Sequence, residues 1–421
     1  MMTIPSGYTL AILCGGGPAP GINSVISAVT IEAEKYGWKT LGIFDGFSHL
    51  AQGDKKVLNL TTDIVSRIHL EGGSILRMSR FNPTKNAADL AKVVETLIDL
   101  GVTHLVTIGG DDTAYSAAQI SFYAKKNKGV AVNIVHVPKT IDNDLPLPEG
   151  VPTFGFETAR EVGANIVENL MEDAKTTGRW YFAIAMGRTA GHLALGIGKS
   201  SGATVTIIPE EFDEGKVRLQ KIVDILVGSI IKRLASDRNH GVAVIAEGVI
   251  EKISPEDLME LDGACRDDHG HIRYSEINFG ELIKRAVDKE LKSAGIKMTL
   301  VDKEIGYELR CAPPIAFDIE YTRNLGFAAF DFLRNGGTDA MITIQNNQIE
   351  PLEFDKIRDP ATGKTKIRLV NIDSVQYQVA REFMIRLEEQ DLNSSVILKK
   401  MALLTRTSPD NFIRKYQYIT Q

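Results

Sequence analysis

The sequence predicts an α/β protein with two Rossmann-like three-layer domains of mainly parallel sheet, an active-site cleft between them and a C-terminal extension. Its 421 residues are too many for one ordinary domain and suit two. Short apolar runs recur along the chain, and they are continuous rather than alternating, as in strands buried on both faces. Helix-length segments separate these runs, which is typical of parallel strands joined by right-handed crossovers.

The first domain is predicted over residues 1–150, and we expect part of 306–335 to complete it. The Pro- and Gly-rich stretch Leu145–Pro152 marks the crossing into the second domain. Strands of the first domain are predicted at Thr9–Cys14, Thr40–Phe44, His104–Ile108 and Asn133–Val137, and helices at Ile22–Tyr36 and Ala87–Leu100.

The second domain is predicted over residues 151–305. Its strands are predicted at Trp180–Ala185, Thr204–Ile208 and Val242–Ala246, and a helical segment at Phe212–Ala235. A polar insertion near 251–275 contains the cluster Asp267, Asp268, His269, Gly270 and His271. Because this cluster is crowded into a charged, turn-rich stretch, a solvated loop is favoured over a metal site.

The tail, residues 336–421, differs in character from the two domains. Strands are predicted at Met341–Ile344 and Lys366–Val370, around a turn at Asp359–Thr362. We interpret the tail as an extension that packs on the second domain.

Composition excludes several classes of function. The formal net charge of −6 leaves no basic excess, so a general nucleic-acid surface is not expected. The three cysteines are far apart and lack metal-ligand spacing, which suits a reducing compartment. No stretch approaches a membrane span, and the apolar run at Tyr8–Cys14 lacks a basic n-region and leads into glycines, unlike a signal peptide. We therefore expect a cytoplasmic enzyme.

Two ligand-binding motifs follow predicted strands of the first domain. Cys14-Gly-Gly-Gly-Pro-Ala-Pro-Gly21 lies between a strand and a helix, where backbone N–H groups and a helix N-terminus can hold an anion. Asp111 and Asp112 follow the strand predicted at His104–Ile108, and carboxylates beside a phosphate loop suit Mg²⁺. Taken alone, the first motif could be only a tight turn, and Asp112 could simply cap the following helix.

A third motif, Lys139-Thr140-Ile-Asp142-Asn-Asp144, follows the strand at Asn133–Val137. One carboxylate can accept a proton from a substrate hydroxyl while the other helps to hold a metal ion. Although Asp-Asn-Asp before Leu-Pro could be a turn, three phosphate-compatible strand ends in one sheet indicate a phosphoryl-transfer site.

Candidate sugar-phosphate ligands are found further along the chain. Arginines recognise phosphates through a planar fork of donors, and carboxylates accept from sugar hydroxyls. The candidates are Arg179, Met186, Gly187, Arg188, Glu247, Tyr307 and Arg310.

Together these motifs resemble the phosphofructokinase family. Gly-Gly-x-x-Pro-Gly-x-Asn, Gly-Gly-Asp-x-Thr, Thr-Ile-Asp-Asn-Asp, Met-Gly-Arg and Glu-Gly occur in that family's order, over roughly residues 8 to 335. The resemblance implies transfer of a phosphoryl group to the C1 hydroxyl of fructose 6-phosphate, in glycolysis or gluconeogenesis.

The resemblance also implies roles for individual residues. Asp142 would be the general base, Thr140 would bind substrate or the transferring group, and Arg80 would reach the transferring phosphate. Asp111 would hold Mg²⁺ with Asp144 close by, and Gly16 would offer its N–H to the donor. Residues expected to bind the sugar phosphate are Met186, Gly187, Arg188, Glu247, Tyr307 and Arg310. Arg179 would reach the 6-phosphate across a subunit interface, which implies a homodimer or homotetramer.

Two departures from the ATP-dependent members concern the donor. Asp112 and Lys139 occupy two positions at which, by this resemblance, the ATP-dependent members have glycine. A carboxylate at 112 would repel the α-phosphate of ATP, and Lys139 adds a cation suited to free pyrophosphate. Both substitutions match the pyrophosphate-using branch.

Other interpretations remain open from the sequence. Sedoheptulose 7-phosphate could be accepted, because one extra hydroxymethine is a small difference for a pocket to exclude. An ATP-dependent enzyme and a catalytically silent partner subunit are the rival interpretations of the whole chain.

Overall fold

The structure, a computed structural model, describes residues 7–212, 216–262, 277–357 and 365–420. The polar cluster Asp267–His271 and the predicted turn Asp359–Thr362 lie outside these residues. The chain divides into two compact units. Unit 1 comprises Met1–Ala159 and Tyr307–Arg368, and unit 2 comprises Arg160–Gly306 and Leu369–Gln421.

The strands are β1 Thr9–Cys14, β2 Lys39–Ile43, β3 Val57–Leu60, β4 His104–Gly109, β5 Asn133–Pro138, β6 Arg179–Ala185, β7 Val205–Ile207, β8 Gly241–Ala246, β9 Thr299–Ile305, β10 Ala340–Gln345 and β11 Gln348–Glu353.

The α-helices are α1 Ile22–Lys35, α2 Ser48–Ala51, α3 Thr62–Val65, α4 Ala87–Asp99, α5 Asp111–Tyr123, α6 Phe156–Thr177, α7 His192–Ser201, α8 Leu219–Ala235, α9 Pro255–Asp262, α10 Phe279–Ser293, α11 Tyr307–Arg310, α12 Ala316–Arg334, α13 Val375–Glu382, α14 Glu389–Asn393, α15 Ser395–Leu404 and α16 Pro409–Tyr416. Within the described ranges, no helix combines the length and the apolar character that crossing a membrane would need.

The sheet of unit 1 has the strand order β11-β10-β5-β4-β1-β2-β3 among the described residues. Strands β1, β4 and β5 are parallel neighbours, with Cys14 beside Ile108 and Ile108 beside Val137. Because parallel strands end at the same sheet edge, the segments that follow β1, β4 and β5 emerge side by side. The predicted α/β class is confirmed, with antiparallel β3 and β11 at the two edges of this mainly parallel sheet.

Both faces of this sheet are covered, which makes three layers. Leu10 and Ile12 of β1 belong to one buried cluster with residues of α1 and α12. Ala11 and Leu13 belong to a second cluster with residues of α4 and α5. The alternation of a strand's side chains between two apolar faces explains why the strand sequence is continuously apolar.

Unit 2 has a parallel sheet with the strand order β7-β8-β6-β9 among its described residues. Central strands β6 and β8 are apolar and were predicted, whereas the edge strand β9 was not. Its sequence, Thr-Leu-Val-Asp-Lys-Glu-Ile, is mostly exposed or half-buried and lacks the apolar run of a buried strand.

The C-terminal tail differs from the predicted single extension over 336–421. Strand β10 joins β5 in the unit 1 sheet, and Phe354 and Ile357 are buried in the unit 1 core. The apolar start of β10 can be buried fully only by pairing with another strand. From Leu369 onward the chain belongs to unit 2. The predicted strand at Lys366–Val370 is wrong, because these five residues, all of them described, adopt no regular secondary structure.

A buried ion pair attaches the tail to unit 2. The Arg386 guanidinium binds both oxygens of Glu211, with nitrogen–oxygen distances of 2.6 and 2.9 Å, and also donates to the Thr206 carbonyl. Both partners of the pair are about nine-tenths buried, each with 8% of its side chain exposed. Removing one member of such a pair leaves the other charge buried without compensation.

Arg386→Ala is therefore expected to lower the free energy of unfolding by about 3–5 kcal/mol. Urea denaturation followed by circular dichroism measures this change. Arg334→Ala is the control, because the exposed pair of Arg334 with Asp331 should contribute less than about 1 kcal/mol. Equal losses in the two variants would contradict a special contribution from the buried pair.

Candidate active site

The glycine loop after β1 is anchored to two neighbouring segments of unit 1. The N–H of Gly15 donates to the Ile108 carbonyl, and the N–H of Gly16 donates to the Ser79 carbonyl, both at 2.9 Å. Gly16 has φ +84°, a left-handed conformation that favours glycine. In this structure the Gly16 N–H is engaged with the Ser79 carbonyl, and its donation to a phosphoryl donor stays a prediction. Gly16 also gives the loop its turn.

Two cations lie against this loop. The Lys139 side chain is buried, and its Nζ donates to the Gly17 carbonyl at 2.5 Å. Lys139 Nζ is 3.5 Å from where a Cβ of Gly16 would be, and Arg310 Cζ is 3.6 Å from the corresponding position on Gly17. The loop therefore combines a compact backbone with an ammonium and a guanidinium, a combination suited to a phosphate-rich ligand.

Helix α5 begins at Asp111, with Gly110 as its N-cap. Asp112 is thus in the first helical turn and does not cap the helix. The Thr113 side chain lies in the space that glycine leaves open, because a Cβ on Gly15 would be 2.3 Å from Thr113 Oγ1. This contact joins the first two motifs, as the common sheet edge predicted.

The segment that carries Arg80 approaches the same helix start. Asn82 donates to Asp112 Oδ1 at 3.4 Å and accepts from Ser116 at 3.3 Å. Ser79, next to Arg80, is hydrogen-bonded to Gly16. Asp112 and Arg80 are both exposed. The structure therefore brings Gly16, Arg80 and Asp112 into one part of unit 1.

The loop after β5 presents the third motif. Thr140 Oγ1 accepts from the Asp142 N–H at 3.0 Å, so the hydroxyl holds the turn while its own proton can be donated elsewhere. Asp142 is half-buried, whereas Asp144 is buried, with 8% exposed. Of the two carboxylates in the motif, Asp142 is the more accessible to a substrate.

His136 of β5 supports the strand ends from inside the core. Its Nδ1 is 2.8 Å from Thr107 Oγ1, and its Nε2 is 3.0 Å from the Gly109 carbonyl. Since a carbonyl only accepts, Nε2 carries the proton and the Thr107 hydroxyl donates to Nδ1. Burial lowers the pKa of His136 to about 3, so the ring is neutral at physiological pH. The sequence analysis missed this residue.

Unit 2 arranges the predicted sugar ligands around the end of β6. Glu247 Oε1 accepts from the N–H groups of Gly187 and Arg188, at 3.0 and 2.7 Å. Arg188 has φ +53°, and these hydrogen bonds help to hold that left-handed turn. Met186 donates its N–H to the Ile305 carbonyl at 3.0 Å. At least one Glu247 oxygen thus orders the Gly187–Arg188 turn.

Arg179, Tyr307 and Arg310 are the other three predicted sugar-phosphate ligands. Arg179 begins β6, about 20 Å along the strand from the Met186 end. The structure therefore does not bring Arg179 together with the Met186–Arg188 turn. Tyr307, in unit 1, is 76% exposed, and the Arg310 guanidinium carbon is 5.2 Å from its ring centre.

The carboxylates of unit 1 are compatible with one kind of metal site. Within the described ranges, no group of three or more His, Cys, Asp or Glu side chains could enclose a metal ion. Mg²⁺ does not need such a cage, because one or two carboxylates, water and substrate phosphates suffice. Asp111, half-buried at the end of β4, is a donor of that kind.

A sequence model of the phosphofructokinase family matches residues 9–333. This match covers well over half of the chain and includes every candidate site residue. The chain belongs to the phosphofructokinase family.

Relatives within this family are similar along nearly the whole chain. A pyrophosphate–fructose 6-phosphate 1-phosphotransferase of Thermotoga maritima is 52% identical, over 98% of this chain and 99% of the relative. An enzyme of the same name from Naegleria fowleri is 50% identical, over 98% and 96%. The fold is similar to a crystal structure of pyrophosphate-dependent phosphofructokinase from Marinobacter aquaeolei, with TM-score 0.68, 18% identity and coverage of 91% and 92%.

Two further residues of this phosphofructokinase organise candidate site loops and were missed from the sequence. Glu210 Oε1 accepts from the N–H groups of Gly191 and Val370, both at 2.9 Å, and burial raises the pKa of this carboxyl. The position of Glu210 just after β7, at the carboxyl end of a parallel strand, could have predicted a role for it near the site. Arg368 contacts the loop after β5, but it is 225 residues from Asn143 in sequence, and no pattern connects the two.

Proposed function

We propose that this phosphofructokinase transfers a phosphoryl group reversibly between pyrophosphate and the C1 hydroxyl of fructose 6-phosphate, giving fructose 1,6-bisphosphate and phosphate. One observation carries the choice of donor. Lys139 contacts the glycine loop and Asp112 lies in the first turn of α5, beside the Thr113 that contacts Gly15, in a chain about half identical to pyrophosphate-using enzymes. Lys139 brings its ammonium to Gly17, and Asp112 adds a negative charge at the start of α5.

The charges in unit 1 favour a small, highly charged donor. Lys139 and Arg310 supply positive charge next to the loop, and Arg80 lies on the adjoining segment. Cations that are already held in place stabilise the charge of a transferring phosphoryl group without reorganising during the reaction. The Asp112 carboxylate would repel the additional α-phosphate of ATP.

Asp142 is the general base in the proposed mechanism. It takes the proton from the C1 hydroxyl as that oxygen attacks the phosphorus, and it returns the proton in the reverse reaction. Thr140 can donate its hydroxyl proton to the substrate or to the transferring group, because its oxygen already accepts from Asp142 N–H. The two residues are therefore oriented by the same turn.

Asp111 would hold Mg²⁺, with Asp144 nearby on the neighbouring loop. When bound, the ion would neutralise charge on the phosphate oxygens. Asp111 lies at the carboxyl end of a parallel strand, and its half-buried carboxylate is the type of ligand that Mg²⁺ takes.

Recognition of the sugar phosphate is assigned to Met186, Gly187, Arg188, Glu247, Tyr307 and Arg310. Arg179, distant from the Met186 turn in its own chain, would serve the 6-phosphate of a neighbouring copy. A cytoplasmic homo-oligomer is part of the proposal. Size-exclusion chromatography with light scattering tests the assembly, and a monomer that is fully active would contradict the role of Arg179.

A panel of two donors and two sugars tests the proposed reaction. Pyrophosphate and ATP are each assayed with fructose 6-phosphate and with sedoheptulose 7-phosphate. We expect activity with pyrophosphate and fructose 6-phosphate, and a preference between the sugars of no more than about 200-fold, because a change of this size in the substrate typically alters binding by about 1–3 kcal/mol. Activity with ATP alone would contradict the donor, and inactivity with every pair would favour a silent partner subunit.

A further inference from the structure

The loop that follows β5, residues 139–153, has almost no regular secondary structure. Backbone carbonyls in such a segment have no ladder partners, so other donors must hold the loop in one conformation. The proposed base, Asp142, is part of this loop. Its position relative to the substrate therefore depends on what those donors are.

The Arg368 side chain supplies many of the hydrogen-bond donors to this loop. Arg368 Nη1 donates to the carbonyls of Leu147, Pro148 and Val151, at 3.3, 3.2 and 2.9 Å. Its Nε and Nη2 both donate to the Asn143 carbonyl at 3.1 Å. The backbone N–H of Arg368 also donates to the Asp144 carbonyl at 2.8 Å.

Asn143, between the two acidic residues, is held most tightly. It has φ +57°, a left-handed conformation that asparagine tolerates but that costs energy without support. Its Oδ1 accepts from Arg368 Nη2 at 2.5 Å and from the Thr153 N–H at 3.0 Å. Because Asp142 directly precedes this residue, a change in the Asn143 backbone would redirect the Asp142 carboxylate.

The contacts need an arginine rather than any cation. A guanidinium offers five N–H donors in a rigid plane, whereas a lysine ammonium has three donors on one atom. Arg368 is half-buried, and burial lowers its pKa while nearby Asp144 raises it. Arginine keeps its charge even in this environment.

We propose that Arg368 is a positioning residue for the phosphoryl-transfer reaction: its guanidinium holds backbone carbonyls from Asn143 to Val151, so that the preceding Asp142 is presented in its reactive orientation. This inference rests on the proposed function of Asp142. Arg368 acts through the loop and does not itself bind substrate.

Arg368→Ala should lower kcat about 10- to 100-fold, because displacing a reacting group by about 1 Å can cost that much. The KM values for both substrates should change less than about threefold, since the loop does not supply the main binding energy. Hydrogen exchange measured by mass spectrometry should become faster in peptides spanning 140–153. Millimolar guanidinium should restore part of kcat by occupying the vacated space.

Arg368→Lys separates charge from geometry. It keeps the positive charge near Asp144 but cannot reach the same set of carbonyls, so we expect most of the loss in kcat to remain. Arg334→Ala is the matched control, because Arg334 lies at the end of α12, where it contacts Asp331 and Tyr36 rather than the loop after β5. It should change neither kcat nor exchange at 140–153.

Unchanged exchange at 140–153 in Arg368→Ala, or a full kcat in Arg368→Lys, would overturn the inference. The test of Arg368 can be told apart from the test of the phosphoryl donor. Each variant is compared with the wild type in an assay that uses whichever donor the wild type accepts. A wild type that uses only ATP would refute the donor and leave the exchange and kcat comparison intact.

Discussion

Replacing Asp142 with asparagine is expected to lower kcat about 10²- to 10⁴-fold, the usual contribution of a general base. Asparagine keeps the size of the side chain and the backbone N–H that donates to Thr140, so the turn should persist. What is lost is the ability to accept the C1 hydroxyl proton. Steady-state assays in both directions measure the effect.

The two directions must lose rate together, because a catalyst cannot change the equilibrium constant of the reaction. KM values should change little, since the interaction is made mainly in the transition state. Asp63→Asn is the control, because Asp63 is exposed in α3, and its activity should equal that of the wild type. If Asp142→Asn retains more than about a tenth of kcat, Asp142 is not the base.

The second large effect is expected on donor choice. Asp112→Gly should raise kcat/KM for ATP about 10- to 100-fold relative to pyrophosphate. Two unit charges 4 Å apart at an effective dielectric near 20 repel by about 4 kcal/mol, and solvent exposure at Asp112 reduces that value. Competition assays with both donors at fixed fructose 6-phosphate give the ratio.

Asp112→Asn distinguishes charge from size in this experiment. If repulsion excludes ATP, asparagine and glycine should have similar effects, whereas a steric cause would leave asparagine close to wild type. Gly at the second position of α5 also removes a carboxylate from the first helical turn, which lowers helix stability by about 0.3–1 kcal/mol, so melting temperatures are compared first. An unchanged donor ratio in both variants would remove Asp112 from donor selection.

Much of the central sheet of unit 1 could be predicted because its signal is local. A strand buried on both faces is apolar at most positions, and β1 was predicted with the bounds that it has. Strands β3, β9 and β11 lie at sheet edges, have exposed or half-buried positions and were missed, whereas the edge strand β7 is buried along its length and was predicted. The predicted strand at Lys366–Val370 is wrong because its backbone N–H groups bond to separate segments, Lys366 to Ile357 and Arg368 to Asp144, rather than to one neighbouring strand.

The grouping of motifs was predictable for a topological reason. Parallel neighbours β1, β4 and β5 bring their carboxyl ends to one edge, and the three motifs follow those strands. The hydrogen-bond partner of each group in these motifs was not predictable. Gly16 donates to the Ser79 carbonyl, and Glu247 orders the turn at Arg188.

The sequence by itself determined the α/β class, the order of the motifs and the two side chains, Asp112 and Lys139, on which the proposed donor choice rests. These features are local, because they follow from apolar periodicity and from residue types next to strand ends. Only the tertiary structure decided that β10 completes the unit 1 sheet and that Arg368 holds the loop of Asp142. Such contacts join residues 200 or more positions apart, and their free energy comes from pairing groups that have no partner within their own segment.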